Sequence, residues 1–241
     1  MNSKIYLLVL SSLFFLGCSK KQKDGVIGKD PVEILNKAFM QSGDVVAWSK
    51  NQAIKFGFSK IVFQAEGGQS DFSQLHQYDF GDRPKKRVSF EDSEGRLITW
   101  AEIQGDYFKF VNQVEDTLFN KGEVADWLEE VYLVSGLPFS INTLDGQLRY
   151  IGEDSIVHKE QTDVLAISME DQRRFWFYID QNSGKLLSFK AMTNGTTKHY
   201  ILEAQQETAG FVLPVYLKVY EQTGEQERLI EEWYIGARTI E

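Results

Sequence analysis

The stretch RRFWFYIDQNSGKLLSFKAMTNGTTKHYILEA, residues 173–204, decides the fold, because it contains three strand-like runs separated by two turn signals. The runs at 173–180, 185–192 and 196–204 are rich in aromatic and β-branched residues, which is typical of β-strands. Asn194-Gly195 between the last two is the strongest short hairpin signal in the chain. Strands that are neighbours in sequence are therefore predicted to pair antiparallel.

The same pattern continues on both sides of this stretch. Strands are predicted around the turn signals Gly105-Asp106 and Gln222-Thr223-Gly224, and from residue 53, where the pattern changes to a period of two. The ranges predicted next to these turns are 96–103, 107–114, 211–220 and 227–236. Together they predict a mainly β (α+β) fold: a large curved antiparallel sheet or unclosed barrel of about ten strands with two or three covering helices.

Two segments have helical rather than strand spacing. The first begins at Asp30-Pro31, where Asp30 can cap the helix and proline suits the first turn, and Gly43 is placed to end it. The second covers residues 123–134 and is followed by Gly136. A large antiparallel sheet must hide its apolar face, so these helices are predicted to cover it.

The N-terminal sequence has the layout of a bacterial lipoprotein signal. Lys4 precedes a short apolar run, residues 5–16, that gives way to Gly17-Cys18, and Cys18 is the only cysteine in the chain. The residues around Cys18 resemble a lipobox, which predicts lipidation of that thiol. The expected organisation is a signal peptide at 1–17, a flexible linker at 18–30 and a single domain at 31–241.

Composition and the anchor together limit the partners. The formal net charge is −9, which makes nucleic acid an unfavourable partner. The predicted partners are a membrane, reached through the lipid anchor, and a lipid or other hydrophobic small molecule, while protein partners stay undetermined. Ser19 after the lipidated cysteine favours the outer membrane, and either side of that membrane remains open.

Catalytic signals are weak, and the chain is predicted not to be an enzyme. His76, His158 and His199 have no metal-ligand spacing and are expected at the surface or at strand edges. No metal, nucleotide or other cofactor is predicted, since no matching motif is present. A pair of carboxylates such as Asp163 and Asp180 could still meet as acid and base, as in glycosidases.

Three features of the sequence resemble a known family. Residues 34–39 are followed by Gly43 and Trp48, the hairpin at 179–186 contains Ser183-Gly184, and residues 210–214 lead into a strand at 216–220. With the lipoprotein signal, they resemble the lipoprotein families related to the outer-membrane lipoprotein carrier and receptor (LolA/LolB-like) fold. The resemblance implies an unclosed antiparallel barrel whose concave hydrophobic face is covered by helices and holds acyl chains or another apolar ligand.

The leading hypothesis is therefore a membrane-anchored envelope lipoprotein that binds a lipid-like or other hydrophobic ligand in a half-barrel groove. The alternatives are an envelope scaffold or protein-interaction module without a ligand and, third, a carboxylate-dependent hydrolase. Alternation fixes which side chains share a face but not which face is inward. The candidate ligand-binding residues are Trp100, Phe108, Phe110, Trp176, Tyr178 and Trp233.

Overall fold

One antiparallel sheet of 13 strands, curled around three α-helices and one 3-10 helix, dominates the structure. The structure is a computed structural model that describes residues 28–51, 53–80, 84–155, 160–224 and 226–241. The predicted signal peptide at 1–17, the lipidation residue Cys18, most of the predicted linker and His158 lie outside the described residues.

The strands follow one another as two meanders that meet in the middle of the sheet. Their bounds are β1 Ala53–Phe63, β2 Gln69–Asp79, β3 Lys85–Glu91, β4 Leu97–Ile103, β5 Asp106–Val111, β6 Val114–Glu115, β7 Gly146–Asp154, β8 Thr162–Met169, β9 Arg174–Asp180, β10 Leu186–Thr193, β11 Thr196–Thr208, β12 Phe211–Thr223 and β13 Gln226–Ile240. The spatial order is β6-β5-β4-β3-β2-β1-β13-β12-β11-β10-β9-β8-β7, so β1 pairs with β13 and the sheet is unclosed, with edges at β6 and β7.

The sheet has more strands than the sequence predicted, 13 rather than about ten. Strand β2 explains part of the difference. Its buried positions include Gln74 and His76, so the apolar alternation that marks a half-buried strand is interrupted by polar residues. Strand β6 is only two residues long, which is too short to leave a periodic signal.

The hairpin prediction at Asn194-Gly195 is confirmed. Thr193 pairs with Thr196 across a two-residue turn, and the two turn residues have φ angles of 52° and 80°. These positive angles match the right-handed twist of the flanking strands, and asparagine and glycine adopt them at low cost. The turn between β9 and β10 is fixed differently, because the Asp180 carboxylate accepts hydrogen bonds from the Ser183 backbone N–H and hydroxyl.

The helices are α1 Pro31–Ser42, α2 Val45–Trp48, α3 Lys121–Ser135 and a 3-10 helix Phe139–Thr143. In α1 the Asp30 carboxylate accepts from the Val32 backbone N–H, as the sequence predicted. Helix α3 begins two residues earlier than the apolar spacing predicted, because the Asn120 side chain caps the backbone N–H groups of Gly122 and Glu123.

The main core lies between these helices and one face of the sheet, which we call the inner face; the opposite face is the outer face. Trp233 on β13 is fully buried there, with Phe58 on β1 and Tyr200 on β11 as ring neighbours. The end of α3 is held by Arg238, whose guanidinium donates to the backbone carbonyls of Ser135 and Pro214. A cation at a helix C-terminus is favourable, although burial lowers the pKa of Arg238 to about 10.

The expectation that the histidines lie at the surface or at strand edges is wrong for the two that the structure describes. His76 is 0% exposed and His199 is 1% exposed. His76 lies on the inner face, where its Nδ1 is 2.8 Å from the Tyr78 hydroxyl and its Nε2 is 3.0 Å from Gln74 Oε1. Partners on both ring nitrogens allow this histidine to be buried without an unsatisfied polar group.

Candidate ligand-binding site

A cavity of about 460 Å³ lies between α3 and strands β8–β11. We call it the α3 cavity. The apolar side chains of its wall come from α3, from the residue after the 3-10 helix and from strands β8, β9 and β10: Leu133, Leu144, Met169, Phe175, Phe189 and Ala191. Cavities of this size are typical of sites that enclose a small ligand.

The apolar wall follows from the alternation of the strands. Phe175 and Phe177 on β9 share the inner face and stack on one another, with ring centroids 6.3 Å apart. On the next strand Phe189 stacks against Phe177 and against Tyr200 of β11, at 6.0 and 4.3 Å. The aromatic row crosses three strands and leaves Ala191 beside it as a small side chain that opens space under α3.

Charged side chains also line the α3 cavity, and each of its three basic residues, Lys86, Arg173 and Lys198, has an acidic partner. Lys198 Nζ lies 2.9 Å from Glu130 Oε1, and the Tyr200 hydroxyl donates to the same carboxylate oxygen. Burial lowers the pKa of Lys198, but the Glu130 carboxylate outweighs this effect and raises it overall. Arg173 binds Glu129 at 2.7 Å. Because each of these cations already has an acidic partner, the cavity can hold an uncharged chain without separating them.

Helix α3 divides the space along the inner face into two parts. On its other side is a more open pocket of about 520 Å³ that includes Trp100, Phe72 and Lys60. Asp126 and Glu130 of α3 line both spaces. Other α3 side chains connect the helix to the sheet: the Trp127 indole N–H donates to Gln74 Oε1 at 2.9 Å, and Lys60 Nζ lies 4.4 Å from the Trp127 ring centre.

The six candidate residues lie in four places. Trp100 and Trp233 are on the inner face, Trp100 in the more open pocket and Trp233 in the packed core. Phe108 and Phe110 stack on one another and lie on the outer face of β5, since Lys109 between them pairs with Trp100. Trp176 and Tyr178 are on the outer face of β9 and line a separate groove.

None of the residues that line the α3 cavity was among the ligand contacts predicted from the sequence. Phe175 belongs to the all-apolar set of β9, whereas the amphipathic set with Trp176 and Tyr178 was selected for ligand contact. The apolar character of the Phe175 set could have indicated the cavity side of β9, because the face of a sheet that packs under a helix is normally the more apolar one. Leu133 and Met169 come from elements whose cavity position depends on the tertiary fold.

Asp163 and Asp180, the carboxylates considered as an acid–base pair, have other roles. Asp163 accepts from Lys29 Nζ at 2.6 Å and from Gln181 Nε2 at 3.1 Å, which ties the start of the described chain to β8. Asp180 caps the β9–β10 turn through Ser183. Neither carboxylate lines the α3 cavity or the groove on β9.

In the described part of the chain, histidine, cysteine and carboxylate side chains form no group of three or more that could hold a metal ion. None of the helices described in the structure is long and apolar enough to cross a membrane.

Comparisons with known proteins identify the fold. No protein-family model matches the sequence, and no curated protein is similar to it in sequence. Solved structures are similar: a LolA superfamily protein from Nitrosomonas europaea has a TM-score of 0.56 at 13% identity, and a domain named for outer membrane lipoprotein sorting from Vibrio parahaemolyticus has 0.55 at 9%. A DUF1329 family protein from Desulfovibrio piger has 0.50 at 11%. Each match covers 87% of this chain and 92% of the other. The chain therefore has a LolA-like fold, as the sequence features predicted.

Proposed function

We propose that this protein is a membrane-anchored envelope lipoprotein that binds a lipid-like or other hydrophobic ligand in the α3 cavity. The observation that carries this proposal is the space of about 460 Å³ next to the apolar wall of Phe175, Phe189 and Met169. Transfer of a methylene group from water into such a space contributes about 0.8 kcal/mol, so even a short chain gains substantial binding free energy.

The fold and the sequence support different parts of the proposal. Proteins with the same fold include one named for outer membrane lipoprotein sorting, which favours a hydrophobic cargo in this fold class. The proposed anchor rests on the lipobox-like sequence around Cys18, and Ser19 after this cysteine favours the outer membrane. Two or three acyl chains hold a protein stably on a bilayer, whereas one chain alone binds reversibly. We propose a binding role without catalysis, because Glu129 and Glu130 of the cavity wall are engaged in ion pairs with Arg173 and Lys198.

The proposed ligand contacts are the side chains that form the inner wall of the α3 cavity. Trp100 and Trp233 also lie on the inner face, close to α3. They remain predicted contacts for a ligand that displaces this helix. The Phe108–Phe110 pair and the Trp176–Tyr178 pair stay predicted contacts on the outer face. Labelling with a photoreactive ligand can distinguish these locations.

Filling the α3 cavity should abolish ligand binding. We expect palmitic acid carrying a diazirine group to label peptides containing Met169, Phe175 or Phe189 when the full chain in a bilayer is illuminated. The variant Ala191→Trp puts an indole into the cavity and should reduce this labelling roughly tenfold, because the ligand and the new ring compete for the same volume. The labelled peptides and their yields are measured by mass spectrometry.

The matched control is Ala166→Trp, the same exchange on the outer face of β8. It should leave the labelling unchanged. Since overpacking can destabilise a protein, the smaller change Ala191→Leu is tested as well and should give an intermediate loss at an unchanged melting temperature. Labelling that is equal in all variants, or that occurs only on the outer face, would contradict binding in the α3 cavity.

The anchor is tested separately at the thiol. Cys18→Ser removes the sulfur that would accept the diacylglyceryl group, so we expect an uncleaved precursor in place of a lipidated mature protein. Intact-mass measurement distinguishes the two forms, and Ser19→Ala serves as the control that should still be processed. A cleaved Cys18→Ser product that binds membranes normally would show that Cys18 is not the anchor.

A further inference from the structure

The outer face carries a groove of about 340 Å³ that runs across the end of the sheet from β7 to β12. We call it the outer groove. Its lining includes Asp154, Trp176, Tyr178, Lys190, Thr197 and Gln222. None of the lining residues is shared with the α3 cavity, and the helices pack on the other face of the sheet. The outer groove is therefore a second, independent concave site.

Aromatic side chains form the wall of the outer groove. Trp176 is half-buried, and Tyr178 is only 5% exposed. Burial, together with the Asp154 and Glu227 carboxylates, raises the pKa of Tyr178 to about 12, so the hydroxyl keeps its proton near neutral pH. The site thus combines a flat apolar ring with a hydroxyl that can donate.

The basic residue of the outer groove is paired and is not available for an anion. Lys190 is the basic residue that lines it, and its Nζ lies 3.2 Å from Gln222 Oε1 and 3.2 Å from Glu227 Oε1. His199 Nδ1 lies 3.1 Å from the same Glu227 oxygen, and burial lowers the pKa of His199. Asp154 adds a carboxylate. A phosphate or a fatty-acid carboxylate would meet no unpaired cation here.

The layer beneath the outer groove is polar, which disfavours an acyl chain. Ser188 is 0% exposed and lies beside Tyr178 in the register, and His199 lies beside Lys190. Ser188 Oγ and His199 Nε2 are buried without a hydrogen-bond partner in the described part of the protein. Buried polar atoms are normally paired, so this layer differs from the apolar wall of the α3 cavity.

We propose that the outer groove is a second binding site and that its ligand is an uncharged saccharide. A sugar ring has an apolar C–H face that can pack on the Trp176 indole, and hydroxyl groups that both donate and accept. The Asp154 carboxylate accepts from such hydroxyls, and the hydroxyls of Tyr178 and Thr197 can donate or accept. The ligand needs no negative charge, since Lys190 is already paired.

The test uses the full chain in detergent and three neutral trisaccharides as probes: N,N′,N″-triacetylchitotriose, maltotriose and cellotriose. We expect at least one of them to bind with one-to-one stoichiometry in isothermal titration calorimetry. Trp176→Ala should weaken this binding at least about tenfold, since an aromatic platform supplies much of the contact area. Tyr234→Ala removes an exposed aromatic side chain from the outer face of β13, outside the lining of the outer groove, and should leave the affinity unchanged.

Asp154→Ala is a second variant that removes an acceptor without removing a core ring, and it should weaken binding by about fivefold or more. Inorganic phosphate and lysophosphatidylcholine are included as competing ligand classes. Absence of binding by all three saccharides, binding that is insensitive to both variants, or tighter binding of phosphate in the outer groove would overturn the proposal. Fatty-acid labelling of the α3 cavity should persist in Trp176→Ala, so the two sites are tested independently.

Discussion

Trp233→Ala is expected to lower the free energy of unfolding by about 4 kcal/mol, the cost typical of removing a large aromatic side chain from a core. Trp233 is 0% exposed and has ring contacts with Phe58, Trp127 and Tyr200, which come from three different elements. Its indole N–H also donates to Glu231 Oε2 at 2.6 Å. The variant therefore creates a cavity and removes a hydrogen-bond donor from a largely buried carboxylate.

The measurement is urea unfolding followed by fluorescence and circular dichroism, with Tyr234→Ala as the matched control. Tyr234 is the next residue on β13 but points to the outer face and is 39% exposed, so its loss should cost less than about 1 kcal/mol. The same experiment examines the prediction that Trp233 contacts a ligand. A cost below about 1 kcal/mol for Trp233→Ala, accompanied by loss of fatty-acid labelling, would identify Trp233 as a ligand contact rather than a core residue.

Acidification from pH 7 to pH 4 should remove about 3 kcal/mol of stability through His76 alone. Burial lowers the pKa of His76 from 6.5 to about 3 in the folded protein. Below pH 6.5 the unfolded chain binds a proton at this residue and the folded protein does not, so stability falls with pH until about pH 3. The loss is expected because His76 packs between Phe56 and Phe58 of β1, away from water.

The variant His76→Gln isolates this effect. Glutamine retains hydrogen-bonding capacity toward Gln74 and Tyr78 but does not titrate, so the variant should be less stable at pH 7 and should lose less stability on acidification. Carboxylates and the remaining histidines contribute equally to both proteins, and their effects cancel in the difference between the two pH profiles. Identical pH dependence of unfolding in the wild type and in His76→Gln would show that the pKa of His76 is the same in the folded and the unfolded protein, which would contradict its burial as a neutral residue.

Local signals in the sequence were sufficient to predict the helix start at Asp30, the turn at Asn194-Gly195 and the alternation in β9–β13. Each of these depends on atoms within a few residues: a carboxylate that caps nearby backbone N–H groups, or a pair of residues that tolerate positive φ. Strand β2 was harder to predict, because its inward positions include the polar residues Gln74 and His76. Polar residues of this kind are predicted to be solvent-exposed unless their hydrogen-bond partners in the fold are known.

Alternation along the strands could not predict which face of the sheet is covered by the helices. Phe175 and Trp176 are adjacent and both aromatic, yet Phe175 lines the α3 cavity and Trp176 lines the outer groove. A strand with apolar residues on both sides gives the same period whichever side is covered by helices. The cavity residues from α3, β8 and β10 are far apart in sequence and come together only when the sheet curls.

The sequence by itself determined the class of fold, because strand periodicity, hairpin turns and helix caps are local properties that survive in any arrangement of the elements. Tertiary structure decided the rest. The pairing of Ile54 with Ile240 joins the two meanders, α3 occupies the inner face, and burial makes His76 a neutral core residue. These features depend on contacts between residues that are distant in sequence. The free energies of such contacts cannot be predicted from a local sequence pattern.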